Sequence, residues 1–411
     1  FLPTEQQKFD PSIDDIEYVY ESLRKAQRPI ILIGNGIRSA DAIEVFSEFL
    51  NKHPIPVVYS ASAPDTYGSE HNLSIGSVGI MGCSRAGNFA IQNSDLILVL
   101  GNRLSPMTTG SDYCKFGRDA KLIVVDIDSV EHSKETVTID KTIIADAGKF
   151  LKKLLDLDIK SANKEWQDKC LHWKKVFPKC EDAFRNKELI DLYYLSEVLS
   201  ENLQDSSVVV TDSGLVELIL PTNISFKKGM RSIHPASQGS MGYALPAAVG
   251  VSYASKQSVI TVIGDGSVMM NLQELETIRH NKLPIKIIII NNNVYSVIRK
   301  RQVDLFRRRT IGTDPDNGVS CPDFSKVADT FDMKYLLISK PSELQKKIKK
   351  LLDMDGPVLC EIMSPENQDY ITIAHSRTLK GGAVRRPIED QAPFLDRDIF
   401  LSEMVIEPID Q

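Results

Sequence analysis

The residues best placed to do chemistry lie in one 30-residue stretch, GDGSVMMNLQELETIRHNKLPIKIIIINNN (264–293). The apolar run 258–263 ends in Gly264, Asp265 and Gly266. A helical stretch follows, and a second apolar run ends in three asparagines. Two parallel strands joined by a helix would deliver Asp265 and Asn292 to the same edge. In open α/β sheets that edge, outside the carboxyl ends of the strands, is where ligands bind. A carboxylate, an amide oxygen and nearby backbone carbonyls are hard oxygen donors that suit Mg²⁺, an ion commonly held by one or two protein ligands together with phosphate oxygens. Gly264 and Gly266 would let the backbone approach a phosphate with no Cβ in the way.

The elements that must position these residues are legible on either side. Five further segments continue the strand–helix alternation over 193–363: YYLSEVLSENL, SSVVVTDSG, ALPAAVGVSYA, FSKVADTFDM and PVLCEIM. An earlier series reads PIILIGNG, ADAIEVFSEFL, IPVVYS, AGNFAIQNSDLILVLG, KLIVVDID and DAGKFLKKLL. Strands alternating with helices indicate parallel sheets covered by helices. The expected fold is therefore α/β, with two doubly wound parallel-sheet domains. The expected division is a first domain over 1–158, a helical linker over 159–187, a second domain over 188–366 and a tail over 367–411. Trp166 and Trp173, seven apart and so on one helix face, are expected to pack the linker against a neighbouring domain.

Composition narrows the functional classes. With 411 residues, 42% of them hydrophobic and 25% charged, the chain is long enough for about two domains with cores of their own. The net charge of −6, with both signs interspersed, gives no footprint for nucleic acid or an anionic membrane. Arg307, Arg308 and Arg309 form the one basic cluster, read as a solvated loop with an anion contact as the alternative. The six cysteines show no C-x-x-C pair and no metal-ligand spacing, which suits reduced thiols in the cytoplasm. The longest apolar runs are too short to span a bilayer.

GDGS, the 27 positions from Asp265 to Asn292 and the closing NN resemble the signature of thiamine-diphosphate-dependent enzymes. The resemblance implies Mg²⁺ on Asp265, Asn292 and the backbone carbonyl of Val294, with thiamine diphosphate anchored through the metal. GSMGYALPAAVG (239–250) resembles the family's next most specific stretch. It implies that Gly239 and Met241 hold the pyrimidine ring through backbone groups and that the Met241 side chain props the cofactor in its bent form. TDSG (211–214) resembles the loop under the diphosphate, making Asp212, Gly214, Gly264, Gly266 and Ser267 cofactor contacts. IGNG (33–36), GSVGIMG (76–82), NSDLILVLGNRL (93–104) and VVDID (124–128) are similar to the central domain of acetolactate synthase large subunits.

That family orders its domains as pyrimidine-binding, central and diphosphate-binding, so a pyrimidine-binding domain of roughly 170 residues would precede Phe1. The activating glutamate would come from it. The implied activity is decarboxylation of a 2-oxo acid such as pyruvate with carboligation to a second carbonyl, in a homodimer or homotetramer, and this chain alone is expected to be inactive. Departures put the substrate in doubt. The family's GQHQ is GLVE here (214–217). Arg301 stands where a tryptophan shapes the acceptor pocket, with Val297 one turn earlier, so an acidic acceptor is implied unless Arg301 turns outward. Gly34, Gly36 and Arg103 would line a groove for FAD, although a glycine turn after a strand is commonly plain turn chemistry, and FAD is not the favoured expectation. A simple 2-oxo acid decarboxylase and a non-catalytic nucleotide-binding or assembly subunit are the alternatives. A dinucleotide dehydrogenase ranks last, because IGNGIRSA lacks the third glycine of its fingerprint.

Overall fold

Runs such as PIILI and LILVL are buried along their whole length, as expected of strands covered by helices on both faces. The computed structural model describes residues 9–159, 162–255, 257–373, 375–377 and 383–409. The first eight residues, where the first domain was expected to begin, lie outside the described residues. The chain divides into two units, one from Phe1–Pro178 with Tyr370–Gln411 and one from Lys179–Asp369.

The first unit holds strands β1 (Pro29–Ile33), β2 (Val57–Tyr59), β3 (Ser74–Ser77), β4 (Leu96–Leu100), β5 (Lys121–Asp126) and β6 (Lys141–Ile144), in the order β3-β2-β1-β4-β5-β6. Every pairing within this six-stranded sheet is parallel. Side chains alternate between two cores. Ile31, Ile33, Leu98 and Val125 meet Phe46, Phe49 and Phe150, while Ile30, Leu32, Val99 and Val124 meet Phe89, Trp166 and Trp173.

The helix Lys164–Val176, in the stretch expected as a linker, falls within the first unit. The Trp166 indole N–H donates to the Pro29 carbonyl at 2.9 Å, and its ring meets Trp173 edge to face at 5.7 Å. The expected tail also returns to this unit. Ile388 and Phe400 complete the Trp173 core, and buried Glu389 pairs with Arg118 at 2.8 Å and accepts from Gln92 at 2.8 Å. Apolar periodicity shows that a helix has a buried face and does not show which sheet buries it.

The second unit holds β7 (Val208–Thr211), β8 (Arg231–Ile233), β9 (Val259–Gly264), β10 (Ile285–Asn291), β11 (Lys334–Ile338) and β12 (Val358–Met363), in the order β11-β12-β10-β9-β7-β8. All pairings are again parallel. The chain runs outward from β7 to β8 and then resumes at β9 on the other side of β7. The topological switch point thus lies between the carboxyl ends of β7 and β9, which lead into Asp212 and Asp265.

Candidate functional site

Asp265 follows the last residue of β9 and opens the helical turn Asp265–Val268. Gly264 pairs with Ile290, so the ends of β9 and β10 are level and the asparagine turn passes Asp265. Its Oδ1 accepts the N–H of Gly266 at 2.7 Å, and its Oδ2 accepts those of Asn292 at 3.1 Å and Asn293 at 2.6 Å. The side chain is 2% exposed, and burial pushes its pKa up to about 6 against the pull of these donors and of the Cys321 thiol. Cys321 is pushed up to about 12 by burial and by the Asp265 charge. Asn292 Oδ1 accepts the Val294 N–H at 3.3 Å, and its Nδ2 donates to the Ser296 hydroxyl at 2.8 Å. Asp265, Asn292 and Val294, expected at one edge, are therefore brought together.

The chemistry of this donor set suits a hard cation: one buried carboxylate, one carboxamide oxygen and backbone carbonyls. Among the described residues there is no group of three or more His, Cys, Asp or Glu able to hold a metal.

Gly266 is required by its own surroundings. A Cβ there would lie 1.8 Å from Cε1 of Tyr295, whose N–H is fixed on the Thr313 carbonyl at 2.8 Å. A Cβ on Gly264 would meet nothing within 4 Å, so only the second glycine of the motif is explained by packing.

Asp212, at the end of β7, is fully buried and reaches into the loop before the helix Ala244–Ala254. Its Oδ1 accepts the Gly242 N–H at 3.0 Å and its Oδ2 the Ala244 N–H at 2.8 Å. Burial raises its pKa, and these N–H groups with the Ser267 hydroxyl oppose the shift. Asn271 completes the clasp by donating to the Gly242 carbonyl at 2.9 Å. Asp212 and Ser267 are thus tied to the loop at Gly242, the residue after Met241. Gly239 is exposed and Met241 half-buried. Gly214 is the N-cap of the helix Leu215–Asn223, with φ of 86°.

The residues expected on the substrate side fall on the helix Ser296–Leu305, which contains no buried residue. Val297 is half-buried and Arg301 is exposed, the outward alternative. Arg299, two residues away, pairs instead with Glu366 at 3.2 Å. Arg307, Arg308 and Arg309 are also exposed. In the first unit, a Cβ on Gly34 would lie 2.2 Å from the Gly101 carbonyl oxygen, so strand-end packing accounts for that glycine. Arg103 pairs with Glu131 at 3.2 Å.

Sequence reasoning missed Cys321, Ser296 and the pair Glu217–His234. Glu217 Oε1 lies 3.6 Å from His234 Nδ1, and its Oε2 lies 3.5 Å from where a Cβ on Gly239 would sit. The substitution of GLVE for GQHQ was the available signal for Glu217. Nothing local marks the other three.

Residues 212–362 match the family described as thiamine pyrophosphate enzyme, C-terminal TPP binding domain, and residues 16–154 match thiamine pyrophosphate enzyme, central domain. The chain is 29% identical over 379 residues to the acetolactate synthase large subunit of Buchnera aphidicola from Acyrthosiphon pisum, covering 90% of this chain and 64% of that protein. Identity is 29% over 357 residues to the acetolactate synthase isozyme 2 large subunit of Escherichia coli K12, covering 86% and 62%. It is 32% over 331 residues to the large subunit of Buchnera aphidicola from Schizaphis graminum, covering 79% and 57%. The chain spans about three fifths of the length of these relatives. With both matches falling on the two sheets described above, and the second taking in Asp212, Asp265 and Asn292, the chain belongs to the thiamine pyrophosphate enzymes and carries their central and C-terminal, cofactor-binding domains.

Proposed function

We propose that this chain is the metal- and diphosphate-holding portion of an acetolactate-synthase-like enzyme that decarboxylates a 2-oxo acid such as pyruvate and joins the remaining fragment to a second carbonyl. The observation that carries the reading is the meeting of Asp265 with the asparagine turn beside the switch point of the second sheet. Thiamine diphosphate, when bound, supplies the electron sink that lets the carboxylate leave as CO₂.

The chain's own residues have narrower tasks. Asp265, the Asn292 carboxamide and the Val294 carbonyl would hold Mg²⁺. Gly214, Gly264, Gly266 and Ser267 would line the diphosphate, and Asp212 would act by fixing the loop that carries Gly239 and Met241 toward the ring. Val297 would face the substrate side, and Arg301, which is exposed, would not. Turnover would require a pyrimidine-binding domain as well, in a homodimer or homotetramer of the whole protein in the cytoplasm.

Titrating the chain with thiamine diphosphate by calorimetry tests the core of this reading. Binding is expected with Mg²⁺ and is lost when EDTA removes the ion, whereas metal-independent binding or none overturns it. With a pyrimidine-binding domain supplied, pyruvate should give a branched hydroxy-oxo acid. Release of an aldehyde alone would favour a simple decarboxylase.

A further inference from the structure

Glu361 is the one charged residue of β12, VLCEIM, and is 7% exposed. It stands in register with Ile289 on one neighbouring strand and Leu337 on the other. A carboxylate buried there needs compensating partners. It has two, on opposite sides. Oε1 accepts the Asn291 carboxamide Nδ2 at 2.6 Å, and Oε2 accepts the hydroxyl of Tyr335 on β11. Asn291 is the last residue of β10, and its carbonyl accepts the Ser364 N–H at 2.9 Å. The next two N–H groups along the chain, of Asn292 and Asn293, donate to Asp265. A lateral polar chain thus crosses β11, β12 and β10 and ends one residue before the turn that meets Asp265.

We propose that Glu361 is a positioning residue for the divalent-cation site: by clamping the Asn291 carboxamide it fixes the end of β10, and so the turn that sets Asn292 and Val294 against Asp265. This rests on reading Asp265 and Asn292 as the metal site. Within that turn Asn293 sits at φ of 58°, the left-handed conformation that asparagine adopts more readily than other non-glycine residues, and it is the end of β10 that the Glu361 clamp holds.

Mn²⁺ serves as the probe, titrated into the full chain with thiamine diphosphate present and followed by electron paramagnetic resonance, with a thermal melt on each variant. Glu361→Leu is expected to weaken Mn²⁺ binding by about tenfold or more, the size of effect seen when partners behind metal ligands are removed. Glu361→Gln, which can still bridge Asn291 and Tyr335, should remain close to the parent chain. Mn²⁺ affinity unchanged in Glu361→Leu, whatever its melting temperature, overturns the proposal and leaves Glu361 a purely structural group. Equal loss in Glu361→Gln and Glu361→Leu also overturns it, since charge and not the clamp would then matter. Should Glu361→Leu not fold, Asn291→Ala removes the clamped group while leaving Glu361 with Tyr335, and the same two readings of Mn²⁺ affinity apply. Asp265→Ala separates the two ideas. If it binds Mn²⁺ like the parent, the metal-site reading itself fails; if it loses Mn²⁺ while Glu361→Leu keeps it, only the role of Glu361 fails.

Discussion

Asp265 and Asn293, 28 positions apart, are joined at 2.6 Å, the Oδ2 of the first accepting the backbone N–H of the second. Together with the bonds from Asn292 and Gly266, this leaves the carboxylate facing three backbone donors. The arrangement tolerates acceptors only.

Asp265→Asn therefore turns one acceptor into a donor against the N–H groups it now satisfies. An unsatisfied buried donor costs about 1–3 kcal/mol, and loss of that stability in urea unfolding is expected. Magnesium-dependent binding of thiamine diphosphate should also disappear in calorimetry. A variant that bound the cofactor as the parent does would contradict the metal assignment.

Gly266→Ala keeps the N–H on Asp265 and adds only a methyl group, aimed 1.8 Å from the Tyr295 ring. Overpacking of this kind costs about 1–3 kcal/mol. Adding Tyr295→Ala removes the clashing atoms, so the double variant should be less destabilised than the sum of the two single changes. Additive losses would show that the ring is not the obstacle.

Asp212→Ala strips the acceptors from the buried Gly242 and Ala244 N–H groups at the start of the helix Ala244–Ala254. Each orphaned donor costs about 1–3 kcal/mol, and Asp212→Asn, which keeps one acceptor, should fall between the parent and the alanine variant in thermal stability. Affinity for thiamine diphosphate should follow the same order, because the loop carrying Gly239 and Met241 is released.

Asp191 gives the second unit a pH dependence. It caps the helix Leu192–Asn202 and accepts from Gln368 at 2.9 Å, yet burial lifts its pKa from 3.8 to about 6. A folded-state value above the unfolded one means a contribution to stability that is complete below pH 3.8 and lost as pH rises through about 6. At roughly 1.4 kcal/mol per unit, the difference amounts to about 2–3 kcal/mol across that window. Asp191→Asn should remove this slope from the plot of unfolding free energy against pH, and a slope equal to that of the parent chain would refute the assignment.

Strands of continuous apolar residues, such as β1, β4, β9 and β10, were legible because burial on both faces leaves no alternation to misread. β8 and β11 were not, since RSI is short and partly exposed and KYLLI alternates too weakly to stand out. The approach of Asp265 to Asn292 followed from strand, helix and strand in sequence order. The Asp212 clasp did not, because it joins residues 30 and 32 positions apart through a loop with no period. Arg301 shows the limit most plainly: position in a motif specifies a helix turn, while exposure depends on what that helix packs against. Trp166, Trp173 and Phe400 likewise reveal hydrophobic faces without naming the sheet that buries them.

The packing of Ile388 and Phe400 into the core of the first sheet makes that unit discontinuous, with the whole of Lys179–Asp369 inserted between its two parts. A stop codon near position 369 would leave the inserted unit with its sheet entire, yet would uncover Phe89 and Trp173 and strand the Arg118 guanidinium without Glu389. Damage at the far C-terminus should thus be felt first in the half of the molecule encoded first.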